Sequence, residues 1–164
     1  STLFPYTTLF RSTTLKDELL RMKLLAGLVD VKGKGIVITL DNNGPSLVED
    51  ENILDVINDL RASDAQAISV NDERIVAMSE VREAGAYIMV NGKRMTPPYV
   101  IKAIGDPDKK LGPALKMIGG VLERLEYSYS LKVDLKRMDE IIISKVADDG
   151  SVLKYDKLTL METN

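Results

Sequence analysis

Between Ala67 and Ile104 the chain reads as a series of short, strand-length pieces, with tight turns marked by Asn71-Asp72 and Asn91-Gly92. Asn-Gly is strong, because both residues accept the positive φ of a type I′ turn, whose twist matches that of paired strands. The pieces expected as strands are Ala67–Val70, Arg74–Met78, Ala86–Val90 and Tyr99–Ile104, the last entered through Pro97-Pro98, where a missing N–H is tolerable. Such a run of short strands requires a sheet, so the rest of the chain must cover one.

Upstream, Gly33-Lys34-Gly35 reads as a turn opening a β-branched strand, Ile36–Leu40. It precedes a strand and lacks a third glycine, which argues against a phosphate loop. Asp41-Asn42-Asn43-Gly44-Pro45 is a turn without the spaced ligands of a Ca²⁺ loop. Ser46 and Glu49 have capping-box spacing, and Ile53, Val56, Ile57 and Leu60 stripe a helix ending near Ser63. Downstream, Asp106-Pro107 caps a helix with proline at its first position. A stripe of Leu111, Leu115, Ile118, Leu122 and Leu125 is interrupted by Gly112-Pro113 and Gly119-Gly120, predicting two short helices. Tyr129–Leu135 and Ile141–Val146 read as two strands, and Asp149-Gly150 turns into a third segment, Val152–Leu160.

The expected fold class is therefore α+β: a single domain, with a mixed, mostly antiparallel sheet and two to three helices packed on it. It is preceded by the end of an amphipathic or coiled-coil helix. Leu15, Leu19, Met22, Ala26 and Val29 step by four, three, four and three, as in a heptad seam. Packing of this helix on the domain and self-association through it both remain open.

Residues 2–12, Thr-Leu-Phe-Pro-Tyr-Thr-Thr-Leu-Phe-Arg-Ser, are identified as one reading frame of a common sequencing adapter, and both phenylalanines of the chain fall there. Such segments are set aside before fold reasoning. The chain then divides into a non-native segment (1–14), an amphipathic helix (15–31), an α+β domain (32–161) and a C-terminal tail (162–164). Without Arg11 the formal net charge passes from -3 to -4. The natural N-terminus is expected to be missing.

Hydrophobic content of 45% and charged content of 29% over 164 residues fit one ordinary globular domain. Mild acidity argues against general nucleic-acid binding, which needs a basic face. No run approaches the roughly 18 apolar residues that span a bilayer. The chain has no Cys and no His. Thiol nucleophiles, thiolate or imidazole zinc sites and triads with a His base are thereby excluded. No cofactor or metal site and no catalytic residue is expected.

Asn71, Arg74, Glu80, Arg82, Asn91, Lys93 and Arg94 fall at the ends of predicted strands, with Lys102 nearby. Converging on one rim they would form a polar groove with guanidinium groups suited to a carboxylate or phosphate; splayed outward they are a solvated edge. Glu80 is the one carboxylate considered as a general base, and it lacks a visible acid partner. A hydrolase using Glu80 and a metal is the weakest of the readings.

Several segments together carry a resemblance: Leu24-Leu-Ala-Gly-Leu28 with Gly35–Leu40; Leu54–Arg61 with Ala67–Asn71; Arg74–Arg82; Val90–Arg94 through Pro97–Asp106; and the Gly119-Gly120 turn. The chain resembles the YlxX/YlxW-type family of bacterial domains of unknown function (domain of unknown function 881), members of which are often labelled division initiation proteins. The resemblance spans about Leu15 to Leu160. It implies a short cytoplasmic N-terminus, a membrane helix and a coiled coil before an extracytoplasmic domain. It also implies a non-enzymatic envelope role beside the division or cell-wall machinery, through protein partners or self-association. The expected location is the cell membrane, reached by an anchor absent from this sequence. The competing reading is a small-ligand or anion-binding sensor domain using Arg74, Arg82 and Asn91. Asp64 and Asp72 stand where the family usually has glycine, Glu83 where a small residue or Cys is common, and Lys109–Pro113 is an altered, slightly longer helix entry.

Overall fold

The computed structural model describes the backbone of residues 3–163 and the side chains of residues 12–163. Eight strands form two antiparallel sheets: β1 (Val31–Asp41), β2 (Ala67–Val70), β3 (Glu73–Arg74), β4 (Val81–Ala84), β5 (Tyr87–Val90), β6 (Lys93–Met95), β7 (Tyr99–Ile104) and β8 (Lys132–Ile143). The large sheet has the order β3-β2-β7-β1-β8, and β4-β5-β6 form a separate ribbon. Helix α1 (Leu3–Ala26) precedes β1, and α2 (Asp50–Ala62) lies between β1 and β2. Two broken helical stretches join β7 to β8: a π-helical turn, Pro107–Leu111, running into α3 (Gly112–Leu115), and α4 (Val121–Glu123), continued as a second π-helical turn, Arg124–Ser128. The α+β class holds, with every strand pairing antiparallel.

Strand alternation decides which face of the large sheet is which. Ile36, Ile38 and Leu40 of β1, Tyr99, Ile101 and Ala103 of β7, and Ile68 and Val70 of β2 point to one face and are buried. On that front face lie the stripe of α2 (Ile53, Val56, Ile57, Leu60) and Leu111, Leu115, Leu122 and Leu125 of the helical connection. The opposite set, with Ala67, Val31, Val37 and Ile104, makes a second, smaller cluster with Ile141 and Ile143.

Strand β8 contributes to both faces because it carries a bulge. Gly35 faces Met138, but Gly33 faces Ile141, so β8 spends one residue more than β1 between those points. The extra residue flips the pleat: Val133 and Leu135 pack on the front cluster, Ile141 and Ile143 on the back. Gly33 and Gly35 therefore lie within a strand and are not the expected opening turn. A Cβ on Gly35 would stand 1.8 Å from the Ala103 carbonyl oxygen, so the backbones can approach only at a glycine.

Other expectations shift for local reasons. The cap of α2 is Glu49, whose N–H donates to Asn52 Oδ1 at 2.8 Å. Ser46 is already engaged in a tight turn with Asn43 through two backbone hydrogen bonds. The strand expected at Arg74–Met78 ends at Arg74, because Ser79 closes a turn onto Val76. The strand expected from Ala86 begins at Tyr87, and β4 and β6, whose exposed residues are charged, were not anticipated. The two expected tail strands are one strand, held along almost all of β1. Val152–Leu160 forms no strand; Val152 is buried, whereas Leu158 and Leu160 are exposed. Ile118 leaves its stripe and is 92% exposed, since the turn before Gly120 swings it out.

Asp106 caps the first connecting helix as expected, accepting from the N–H groups of Asp108 and Lys109. Asp64 and Asp72 both sit at positive φ, 64° and 68°. The turns form, and the aspartates occupy the left-handed region that glycine adopts without cost.

Candidate functional site

The residues of the expected polar rim fall in four places: the β2–β3 turn, the β5–β6 turn, the outer face of the ribbon and the base of α1. Asn71 closes the β2–β3 turn: its Oδ1 accepts from Val100 N–H at 2.7 Å and its Nδ2 donates to the Thr96 carbonyl at 3.3 Å. Asn91 opens the β5–β6 turn with φ 53°, followed by Gly92 at 75°, as a type I′ turn requires. Its buried amide donates to the Arg74 carbonyl at 2.9 Å and to Glu73 Oε2 at 3.3 Å, tying the ribbon to the large sheet. Lys93 pairs with that same Glu73 at 2.6 Å, and the hydrogen bond followed by the charge raises the Lys93 pKa.

Arg82 and Arg94 lie within strands, both opposite Met89, on the outer face of the ribbon. Arg94 stacks on Tyr87 with its guanidinium carbon 3.9 Å from the ring centroid. Arg82 pairs with Glu80 at 3.5 Å, and both are about half exposed, a geometry of small energetic weight. Glu80 and Asn91 share a shallow hollow of about 290 Å³ with Met78, Ser151, Val152 and Lys154. Neither Arg74 nor Arg82 lines that hollow. Lys102 pairs with Asp72 across the β2–β7 edge at 3.3 Å.

The side chain of Arg74 turns the other way, beneath the end of α1. That helix stops where Gly27 takes φ 75° and Leu28 N–H returns to the Lys23 carbonyl, a Schellman closure. Val29 of the expected seam thus lies beyond the helix. The Gly27 carbonyl accepts from Val146 N–H at 2.8 Å, and Asp30 Oδ1 accepts from Lys145 N–H at 2.7 Å. Arg74 Nη1 completes the junction, donating to the carbonyls of Val29 at 3.2 Å and Ser144 at 3.4 Å. One buried guanidinium therefore fastens the start of β1 to the chain leaving β8. Burial lowers its pKa, with Asp30 acting in the opposite sense.

Two hollows, of about 700 and 470 Å³, share Leu25, Gln66 and Arg74 as lining. Leu24, Val31, Lys32, Ala67 and Ile104 complete the wall of one; Arg61, Val76, Met78 and Leu153 belong to the other. Together they make an apolar trough at the base of α1, with Arg74 in its floor. Of its lining, sequence reasoning singled out only Arg74. Gly27 carried a legible signal, a glycine just past a helical stripe; nothing in the sequence marks Arg61 or Gln66. Among the described residues no group of acidic side chains is placed to hold a metal ion, and no helix is long and apolar enough to cross a membrane.

The match that decides kinship covers residues 18–157 and is to the family described as "Bacterial protein of unknown function (DUF881)". The chain belongs to this family. Among its relatives is UPF0749 protein YlxW of Bacillus subtilis, 30% identical over 118 residues, which are 66% of this chain and 51% of that protein. UPF0749 protein Mb1856 of Mycobacterium bovis is 40% identical over 107 residues, 63% of this chain and 36% of that protein. UPF0749 protein YlxX of Bacillus subtilis aligns over 152 residues at 26% identity, covering 84% of this chain and 62% of that protein. The chain thus spans about half the length of YlxW and about a third of the mycobacterial protein. A crystal structure of an uncharacterized conserved protein from Mycobacterium tuberculosis has the same fold, with TM-score 0.70 and 32% identity over 79% of this chain and 91% of that one. The expected kinship with the YlxX/YlxW-type family holds.

Proposed function

We propose that this domain is a non-enzymatic interaction module of a membrane-anchored bacterial envelope protein, carried outside the membrane and joined to like copies through α1. The observation that supports the reading is the surface of α1: Leu15, Leu19 and Met22, the heptad seam, are 64%, 53% and 65% exposed. Three large apolar side chains in one row on a projecting helix are best accounted for by a partner helix.

The register can be specified. With Leu15 and Met22 at d and Leu19 and Ala26 at a, Glu18 falls at g and Lys23 at the following e. In a parallel pair, Glu18 of one helix faces Lys23 of the other; in an antiparallel pair, Lys16 would face Lys23. Parallel pairing leads both chains in one direction away from their domains, which suits a shared anchor upstream. A role near the division or wall-synthesis machinery belongs to the same reading.

The deciding experiment is recovery of the gene upstream of Leu15. A membrane helix within that reading frame is expected, and its absence sinks the anchoring. For self-association, sedimentation should show that Glu18→Lys and Lys23→Glu each weaken the dimer and that the double exchange restores it. Equal behaviour of all four proteins would reject this pairing.

A further inference from the structure

The trough at the base of α1 holds a positive charge without a counter-ion. Arg74 is 4% exposed, yet only Nη1 makes hydrogen bonds, both to neutral carbonyls. Nε and Nη2 have no partner among the described residues, and they are not sealed off as Asn52 Nδ2 and Asn91 Oδ1 are. The nearest acidic influence, Asp30, has one oxygen committed to Lys145 N–H and forms no ion pair with the guanidinium. An ion taken out of water in this way is costly unless an opposite charge joins it.

The surroundings select the chemistry of that charge. The walls beside Arg74 are mostly hydrocarbon, with Leu24, Leu25 and Ile104 on one side and Val76 and Met78 on the other; Gln66 and Lys32 are the polar side chains among them. Arg61 and Lys32, both exposed, add two further cations at the lip, Lys32 already paired with Glu140 at 3.8 Å. Gly27 keeps the helix end out of the way, since a Cβ there would stand 2.6 Å from Val76 Cγ1 and 3.5 Å from Arg74 Nε. A phosphate would bring two charges to one buried guanidinium and present no apolar surface to the walls. A monocarboxylate matches the fork of Nε and Nη2 and carries a single charge.

We propose that this trough is a binding site for an apolar carboxylate, whose head pairs with the Nε/Nη2 edge of Arg74 while its hydrocarbon body lies against Leu25, Ile104 and Val76. Such a ligand bridges the last turn of α1 and the sheet, so its arrival braces the helix against the domain. The site differs from the expected rim, since it uses neither Arg82 nor Asn91, and it stands independently of where the domain resides in the cell.

The test is a titration of the ¹⁵N-labelled full chain, followed by NMR, with octanoate as probe. Octan-1-ol has the same body without the charge, acetate the charge without the body, and inorganic phosphate a different anion. Octanoate is expected to shift the amides of Ala26, Gly27 and Val76 saturably, and to bind about tenfold more tightly than octan-1-ol or acetate. Arg74→Met removes the site, but it also releases two carbonyls and can unfold the junction. Leu25→Glu therefore serves as the second variant: Leu25 is 82% exposed, and a carboxylate there competes with the probe, by repelling it or by pairing with the guanidinium in its place, while Arg74 keeps its two carbonyls. It should weaken octanoate about fivefold without lowering the unfolding midpoint. Equal binding of octanoate and octan-1-ol, shifts centred elsewhere, no saturation at millimolar octanoate, or an unchanged affinity in Leu25→Glu would each overturn the proposal. Tighter binding of phosphate than of octanoate would overturn it too, and would assign a different anion.

Discussion

The two faces of the large sheet are built from the same strands, yet they differ in what covers them. Ile101 and Ile104 are three residues apart on β7; Ile101 is fully buried under α2 and the helical connection, whereas Ile104 is only partly buried beside the end of α1. The front has a helical layer of its own. The back has the helix end, the strand beyond the β8 bulge, and an apolar trough. The contrast teaches where stability resides and where surface is left for a partner or ligand.

The largest expected effect is on the front. Ile101→Ala should cost about 2–5 kcal/mol in urea unfolding, because a cavity opens among side chains that cannot all relax. Gly35→Ala attacks the device that lets β8 serve both faces: its Cβ meets backbone, so a loss of about 1–3 kcal/mol is expected, with broadened amide resonances along β1 and β8. On the back, Ile104→Ala should cost only about 1 kcal/mol, since part of that side chain already meets water. If Ile104→Ala costs as much as Ile101→Ala, the two faces are equally covered in solution and the comparison fails. Asp72→Gly, at the end of the sheet, should stabilise by about 0.5 kcal/mol, relief of the left-handed strain exceeding the added freedom of the unfolded chain and the loss of the exposed Lys102 pair.

The smallest effect concerns a clip between the front layer and its edge strand. Arg137 of β8 donates to both oxygens of Asp108, at 2.7 and 3.1 Å. That hydrogen bond, opposed by desolvation and helped to a lesser extent by the guanidinium charge, holds the Asp108 carboxyl below its usual pKa. A folded-state pKa below the unfolded one contributes stability at pH values above the ordinary carboxylate range. That contribution disappears as pH falls through the folded value. Thermal unfolding from neutral to acidic pH should therefore show a slightly shallower decline in Asp108→Asn than in the parent chain; identical slopes would remove the clip from the account.

Much of the front face was legible. The stripe of α2, the strands Ala67–Val70 and Tyr99–Ile104, the Asn91-Gly92 turn and the Asp106 cap each depend on residues within a few positions of one another. Local chemistry settles them. The tail was misread because its alternation breaks at the bulge, and a bulge is specified by the pairing strand about a hundred residues earlier, where Gly33 and Gly35 stand. The ribbon strands β4 and β6 escaped notice because each is short and carries two charged side chains that face water.

For the candidate site, the sequence determined the cast and the tertiary structure determined the company. Composition alone settled that no thiol or imidazole chemistry is available, and the motifs jointly settled the family. That Arg74 carries an unpaired charge could not be read from its neighbours in sequence. The fold ends β3 at Arg74, sends Asn91 to its carbonyl and its guanidinium beneath α1, and brings up Val29 and Ser144 from opposite ends of the chain. Secondary structure follows from short-range preference. A buried charge and the hollow beside it arise only when segments distant in sequence close around them, because burial and desolvation are properties of the packed whole.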